Sequence, residues 1–200
     1  MSLLVPRCVF LQRRGYPFAF GRAEAGTVTP CVPENVAREN RLVFRIVFFH
    51  PEIPGNTGNA IRLAANTGCE LHLIEPLGFS MEDRYLRRAG LDYHDLAHVR
   101  VHRDLDAAWR ALDPVHVYAF TTRARRSHTD VSYAEGDVLL FGPESVGLPD
   151  EVVADARITE RVRVPMLPTS RSLNLTNTAS IAVYEAWRQH DFRGCGPFAG

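Results

Sequence analysis

Lysine is absent from this sequence, and all 23 basic residues are arginine. Mechanisms that need a lysine amine, including Schiff-base and pyridoxal-phosphate chemistry, are therefore excluded. Arginine chemistry remains available, and the planar guanidinium suits phosphate groups. The 23 acidic residues bring the formal net charge to zero, which argues against a basic coat over the whole surface. We therefore expect any contact with nucleic acid to be local.

Cysteines and long apolar runs are also scarce. The four cysteines, Cys8, Cys31, Cys69 and Cys195, form no C-x-x-C pair, which argues against a zinc knuckle, a redox dithiol or a disulfide framework. No apolar run is long enough to span a membrane, and Arg and Pro interrupt the segment where a signal peptide would carry its apolar core. The sequence predicts a cytoplasmic protein with reduced thiols and no membrane partner.

Three segments are expected along the 200 residues of the chain. Residues 1–42 carry Pro, Gly and Arg without a sustained period, so we expect a disordered N-terminal extension. Residues 43–192 are long enough and apolar enough to enclose a core, and we expect them to form a single domain. Residues 193–200 make a short, Gly-rich tail.

From Val43 onward, short β-rich runs alternate with helical stretches. This alternation is typical of an α/β domain around a largely parallel sheet. The predicted strands are VFRIVFF, ELHLIE, VRVH, HVYAF, DVLLFG and RVRVP. The predicted helices cover residues 59–67, 81–89, 104–112, 149–156 and 174–190. The last helix carries an apolar stripe that is either core or a subunit interface; its members are Leu175, Ala179, Ala182, Val183, Ala186 and Trp187.

Ligands of open α/β sheets bind beyond the carboxyl ends of the strands. Three predicted strands are followed there by polar loops, with the sequences TTRARRSHTD, GPESVGLP and PMLPTSRSLN. Gly142 and Gly147 are five residues apart and no Gly-Lys-Ser/Thr follows, so neither a dinucleotide-binding fingerprint nor a P-loop is present. From the residues alone, the GPESVG loop fits a simple strand-to-helix turn about as well as it fits a ligand-binding loop.

The segment PEIPGNTGNAIRLAANTG follows the first strand and opens a helix. Thr57 is the expected N-cap, and Gly68 is the expected C-terminal stop. Asn59, Arg62 and Asn66 share one helix face, so we expect Arg62 to be presented rather than buried. A plain solvated helix face is the alternative interpretation.

Three histidines, His94, His98 and His102, are spaced by four residues, which invites a metal site. However, His102 lies in VRVH, which alternates like a strand and breaks any common helical face. We therefore expect no metal site and no metal-dependent step.

Four sequence blocks together resemble the SPOUT class of knotted methyltransferases, and within it the TrmL (YibK)-like tRNA ribose 2'-O-methyltransferases. In chain order the blocks are PEIPGNTGNAIRLAANTG, IEPLGFSMEDRYLRRAGLDYH, LLFGPESVGLP and VRVPMLPTSRSLNLTNTASIAVYEAWRQ. The resemblance implies a SPOUT-type α/β fold whose C-terminal segment threads a deep trefoil knot. It also implies S-adenosylmethionine as cofactor, tRNA as partner, and a homodimer packed through the terminal helices.

The same resemblance implies roles for individual residues. Arg62 would activate or orient the ribose hydroxyl, Asn56 would hold its loop, and Asn174 would fix the ribose. Tyr184, a further catalytic candidate, and Arg171 would contact ribose or phosphate. The implied cofactor-binding residues are Phe120, Gly142, Glu144, Val164, Met166, Ser172 and Leu173. Plain N-capping of the last helix is the alternative for Ser172 and Asn174.

A guanidinium stays protonated in proteins and is a poor literal base. We therefore expect Arg62 to stabilise the developing alkoxide, while a substrate phosphate or water takes the proton. RNA is expected to bind a local arginine surface; its members are Arg84, Arg87, Arg88, Arg123, Arg125, Arg126 and Arg171. The alternative is that these arginines serve only solubility.

The resemblance implies methylation of the 2'-hydroxyl at the tRNA wobble nucleotide, cytidine or modified uridine 34, with a leucine tRNA as the expected substrate. Two alternatives stay open. The enzyme could act on ribosomal RNA or on another tRNA position, or the fold could serve a noncatalytic RNA-binding protein.

Overall fold

Seven parallel strands form one sheet in the part of the chain that the computed structural model describes, residues 43–81 and 99–196. The strands are β1 (Arg45–Phe49), β2 (Glu70–Ile74), β3 (Val99–His102), β4 (Val117–Phe120), β5 (Arg126–Ser127), β6 (Val138–Phe141) and β7 (Glu160–Arg163). Their order is β3-β2-β1-β6-β4-β7-β5, and every neighbouring pair is parallel. The helices are α1 (Pro54–Thr67), α2 (Leu105–Leu112), α3 (Asp150–Val153) and α4 (Leu175–Arg188).

The predicted α/β architecture around a parallel sheet is confirmed, and each of the six predicted strands is present. The two-residue strand β5 was not predicted. The N-terminal extension, most of the helix predicted at 81–89, His94 and His98 lie outside the described residues. The threading of a knot stays a prediction. No helix of residues 43–81 and 99–196 is long and apolar enough to cross a bilayer.

Apolar side chains cover both faces of the central strands. Because successive side chains of a strand point to opposite faces, Leu139 and Phe141 of β6 join the cluster that includes α1 and α4. Val138 and Leu140 join the cluster on the other face, which includes α2. This burial on both faces explains why the central strands read as unbroken apolar runs rather than as alternating patterns.

Helix α1 begins five residues earlier than predicted. Pro54 occupies its first turn, where the missing N–H costs nothing because that group has no partner inside a helix. The predicted cap at Thr57 is wrong: Thr57 is buried in the helix, and Ile53 stands at the N-cap without a side-chain hydrogen bond. The predicted stop is confirmed, since Gly68 has φ 76° and its N–H donates to the Ala64 carbonyl.

The apolar stripe of α4 is core. Leu175, Ala179, Ala182, Val183 and Ala186 are buried in the same cluster as β1, β6 and α1. The sequence left open whether this stripe is core or a subunit interface. It is core, because these side chains are already covered within one chain. The residues of α4 that remain accessible lie on its opposite face.

Two histidines, His72 of β2 and His102 of β3, contact each other; His72 is buried and His102 is half-buried. The Nδ1 atom of His72 lies 2.9 Å from Nε2 of His102, so one neutral ring donates and the other accepts. Burial lowers the pKa of His72 to about 4, and burial also lowers the pKa of His102. No group of three or more side chains suited to a metal ion occurs among the described residues.

This pair predicts a loss of stability in mild acid. The imidazole of His72 has an ordinary pKa of 6.5 in the unfolded chain and about 4 in the folded protein. Between these values the unfolded chain binds the extra proton, so the free energy of unfolding falls as the pH drops from 6.5 towards 4, by roughly 3 kcal/mol at most. Urea unfolding of wild type and His72→Leu across this range tests the effect. The free energy of unfolding of the variant should fall less over this pH range than that of wild type. An equal fall in the two proteins would show that His72 does not contribute.

Candidate active site

A cavity of about 820 Å³ opens at the carboxyl ends of β4, β6 and β7. Its walls come from the loops that follow these three strands, together with the first turns of α1 and α4. The three polar loops singled out in the sequence therefore meet at one place. This is the edge at which parallel α/β sheets bind their ligands.

The loop after β6, residues 142–149, requires glycine at two positions. A Cβ atom at Gly142 would lie 2.2 Å from the Leu148 nitrogen and 2.3 Å from the Gly147 carbonyl carbon, so the chain folds back directly onto this residue. Gly147 has φ 73°, a left-handed conformation that glycine adopts without strain. Its N–H donates to the Pro143 carbonyl at 2.9 Å and closes the turn.

The loop after β7 has few internal hydrogen bonds. From residue 166 to residue 173, the only backbone hydrogen bond found within the described part of the chain joins the Ser170 N–H to the Leu167 carbonyl, at 3.0 Å. The hydroxyl of Ser172 is exposed and makes no hydrogen bond to the described residues. Peptide groups of this loop are therefore available to a ligand in the cavity.

Two carboxylates hold the loops after β1 and β6 together reciprocally. The Glu144 carboxylate accepts hydrogen bonds from the N–H groups of Glu52 (2.8 Å) and Ile53 (3.2 Å), and from Nδ2 of Asn56 (2.8 Å). In return, the Glu52 carboxylate accepts from the N–H (3.0 Å) and hydroxyl (2.7 Å) of Ser145. We call these bonds the carboxylate clamp. Helix α1 has no side-chain cap from its own N-cap residue. The Glu144 carboxylate takes that place and puts a negative charge at the helix N-terminus.

Two asparagines extend this arrangement to α4. Nδ2 of Asn174 donates to Oδ1 of Asn56 at 2.8 Å, and the Thr176 hydroxyl donates to the Asn56 carbonyl at 2.7 Å. Asn174 also caps α4, because its Oδ1 accepts from the N–H groups of Thr176 and Asn177. The capping interpretation of Asn174 is thus correct, and the same side chain also faces the cavity.

All seven residues predicted to bind the cofactor line this one cavity: Phe120, Gly142, Glu144, Val164, Met166, Ser172 and Leu173. Asn56 and Asn174 line it as well. The other two predicted catalytic residues do not. Arg62 lies on the exposed face of α1 with Asn59 and Asn66, as predicted. Tyr184 is exposed on α4, with its ring against Trp187.

The predicted RNA-binding arginines fall into three groups. Arg123 and Arg126 are engaged within the chain: Arg123 contacts the Asp150 carboxylate and the Leu148 carbonyl, and Arg126 pairs with Glu160. Among the described residues, Arg125 and Arg171 are exposed and have no acidic partner. The remaining three, Arg84, Arg87 and Arg88, lie outside the described residues.

Sequence reasoning missed Glu52 and Ser145, the second half of the carboxylate clamp. Glu52 is separated from Ser145 by 93 residues, and neither residue belongs to a motif with a known chemical role. The available signal was weak: both residues lie in quoted blocks, Glu52 directly after Pro51 and Ser145 midway between Pro143 and Gly147.

This chain is similar to a known family of proteins. A family model described as "SpoU rRNA Methylase family" matches residues 43–184. The chain belongs to the SpoU methylase family. The membership expected from the four sequence blocks is therefore confirmed.

Individual members of the family and its structural neighbours are also similar to this chain. A protein of Methylovorus glucosotrophus (strain SIP3-4), named tRNA (cytidine(34)-2'-O)-methyltransferase, is 53% identical over 76% of this chain and 99% of its own length. A solved structure described as "Structural insights into the 2-OH methylation of C/U34 on tRNA" is 45% identical, with TM-score 0.69, over 76% of this chain and 98% of its own. The SpoU methyltransferase AviRb from Streptomyces viridochromogenes, solved in complex with the cofactor AdoMet, is 23% identical. It shares the fold with TM-score 0.63 over 76% of this chain and 59% of its own.

The carboxylate clamp predicts that Glu52 positions the cavity wall. In Glu52→Ala, Ser145 loses both acceptors, so the loop after β6 should become less ordered. The two lost hydrogen bonds are exposed, so we expect their combined effect to equal about one net hydrogen bond and S-adenosylmethionine to bind roughly three- to tenfold more weakly. Titration calorimetry measures this.

The matched control for Glu52→Ala is Glu135→Ala, because Glu135 is exposed and its carboxylate has no partner among the described residues. The control should bind the cofactor as wild type does. Equal affinities in the two variants would show that the clamp does not hold the loop.

Proposed function

We propose that this chain is a tRNA 2'-O-ribose methyltransferase that acts on nucleotide 34, cytidine or a modified uridine. The observation that carries the proposal is the convergence of all seven expected cofactor residues, with Asn56 and Asn174, on one cavity. Nucleotide 34 as the target is supported by the 53% identity to a protein named tRNA (cytidine(34)-2'-O)-methyltransferase. A leucine tRNA as substrate and a cytoplasmic location belong to the same proposal.

The cavity fits S-adenosylmethionine, which when bound supplies an electrophilic methyl group on a sulfonium. Ile53, Val146 and Leu173 line the cavity and are apolar yet exposed, as expected of walls that cover an adenine ring. Peptide groups of residues 166–173 are available to bind ring nitrogens and hydroxyls. Gly142 also lines the cavity, and its lack of a side chain lets the end of its loop fold back onto it.

The two asparagines are suited to orient the ribose. Each amide is held by the other at 2.8 Å, and Asn56 is held further by Glu144, so neither needs to be ordered when substrate binds. An amide nitrogen carries two hydrogens. The second hydrogen of the Asn174 amide is available to the ribose, since Asn174 is exposed at the cavity.

Arg62 supplies the positive charge in this proposal. It lies six residues beyond Asn56 on α1, about 9 Å along the helix axis, and it has no acidic partner among the described residues. We place its action on a ribose bound at the mouth of the cavity rather than inside it. There the guanidinium stabilises the developing alkoxide, and a substrate phosphate or water accepts the proton.

A methyl-transfer assay tests the function. Purified protein, labelled S-adenosylmethionine and total tRNA from a strain lacking the gene should give label at the 2'-oxygen of nucleotide 34, located by nuclease mapping. Arg62→Ala should slow transfer about 100-fold or more while cofactor affinity stays unchanged. Arg110→Ala, an exposed arginine of α2, is the control and should transfer at the wild-type rate.

Other outcomes of the assay separate the alternatives. Ribosomal RNA is offered in parallel, because the family model is described for rRNA methylases. Label on ribosomal RNA or at another tRNA position would keep the reaction and reject nucleotide 34. Cofactor binding without label on any RNA would favour a noncatalytic RNA-binding protein. Full turnover by Arg62→Ala would remove that residue from the mechanism.

We also propose a homodimer, formed through the outer face of α4 rather than through its apolar stripe. The stripe is buried within the chain, but Ile181 and Tyr184 remain 39% and 48% exposed on the opposite face. Residues three apart are neighbours on a helix surface. Two apolar side chains at this spacing favour a helix-packing interface.

The dimer proposal predicts that Ile181→Glu separates the subunits, because a buried carboxylate without a partner opposes association. Analytical ultracentrifugation should show the mass of one chain for this variant and of two for wild type. Val115→Glu is the matched control, since Val115 is 75% exposed in the loop after α2. A dimeric Ile181→Glu variant, or a monomeric wild type, would contradict the proposal.

A further inference from the structure

Three arginines lie together at the β5 edge of the sheet. Arg161 and Arg163 flank the buried Val162 on β7, so both side chains point to the same face. β5 pairs with β7 so that Ser127 stands opposite Arg163, and Arg125 lies directly before β5. Neighbouring strands are about 5 Å apart and alternate residues about 7 Å apart, so we expect the three Cα atoms within about 10 Å. We call these residues the edge arginines.

The side chains of the edge arginines form no ion pair among the described residues, unlike those of Arg123 and Arg126. Two nearby carboxylates are already engaged: Glu160 accepts from Arg126 at 3.1 Å, and Asp150 contacts Arg123. Elsewhere in the described chain, five arginines pair with acids: Arg45 and Arg100 with Glu70, Arg103 with Asp104, Arg157 with Asp106 and Asp155, and Arg188 with Glu185. Four other described arginines form no ion pair with the described residues: Arg62, Arg110, Arg171 and Arg193. A local excess of positive charge therefore remains at this edge, although the whole chain is neutral.

Positions on neighbouring strands and alternate positions on one strand lie about 5 to 7 Å apart, which is within the Debye length of about 8 Å at physiological salt, so like charges there repel one another. An anionic ligand relieves that repulsion. The guanidinium group binds phosphate oxygens through two parallel hydrogen bonds, so phosphate is an anion that suits these side chains. Arg125 and Arg161 are exposed and free to do so.

The edge is continuous with the candidate active site. Arg163 is half-buried and lines the cavity together with Val164 and Met166. A nucleotide whose ribose enters the cavity is joined to its neighbours through phosphates. The phosphates beside that nucleotide would therefore come first to Arg163, with the other two edge arginines next to it on the same edge.

We propose that Arg125, Arg161 and Arg163 form the contact surface for phosphates of the RNA strand beside the target nucleotide. This inference rests on the proposed function, because it takes RNA as the occupant of the edge. It reassigns the RNA contact away from Arg123 and Arg126, whose guanidinium groups hold the loop after β6 and the β5 strand in place.

The test compares two double variants with the same change of charge. Arg125→Ala/Arg161→Ala removes two edge arginines and leaves Arg163, which lines the cavity. Arg110→Ala/Arg193→Ala removes two exposed arginines that also have no acidic partner among the described residues and that do not line the cavity. For each protein, tRNA affinity is measured by filter binding at several salt concentrations, and S-adenosylmethionine affinity is measured by calorimetry.

We expect the edge variant to bind tRNA at least about tenfold more weakly at low salt. Each lost phosphate contact should reduce the slope of log affinity against log salt by about 0.7 to 0.9, so two contacts should reduce it by about 1.4 to 1.8. Cofactor affinity should not change. The control variant should keep the slope of wild type, apart from a small uniform effect of its lower charge.

Equal affinities and salt slopes in the two double variants, with a wild type that methylates tRNA, would overturn the surface and leave the proposed function standing. A wild type that transfers no methyl group to tRNA would overturn the proposed function and the surface with it. Arg125→Lys/Arg161→Lys adds a further check, because it restores the charge. A restored slope supports phosphate contact, whereas a slope as low as that of the alanine variant contradicts it.

Discussion

The carboxylate clamp between the loops after β1 and β6 is the contact on which the candidate site depends. Glu144 and Glu52 exchange hydrogen bonds across 92 residues of sequence, each accepting from the other's loop. Because α1 has no side-chain cap of its own, the same bonds that shape the cavity wall also satisfy the start of the helix. A change in one loop is therefore transmitted to the other.

The clamp continues through Asn56 and Asn174 to the start of α4. The loop after β7 is thus anchored at both ends, by the sheet at Arg163 and by the Asn174 cap, while residues 166–173 between these anchors have one backbone hydrogen bond of their own. Ordering such a loop on a ligand costs less than ordering a free segment, because its ends are already placed. Unpartnered peptide groups then contact the ligand without first breaking bonds within the protein.

Prediction from the sequence succeeded where the signal was local and periodic, and failed where the partner was distant. The strands were predictable because burial on both faces leaves apolar runs, and Gly68 was predictable because a left-handed helix end selects glycine. The start of α1 was misplaced because the carboxylate that accepts from the N–H groups at the helix start, that of Glu144, comes from another loop. The strand β5 was missed because two residues carry no pattern, and pairing with β7 alone defines it.

By itself, the sequence determined the α/β architecture, the family and nine of the residues that line the cavity, because apolar periodicity and motif blocks are written along the chain. Only the tertiary structure decided which polar residues act together. It assigned the α4 stripe to the core, added Glu52 and Ser145 to the site, and separated the paired arginines from Arg125, Arg161 and Arg163. The physical reason is that charge pairing and hydrogen bonding join atoms close in space, and a parallel sheet brings together loops that lie far apart in sequence.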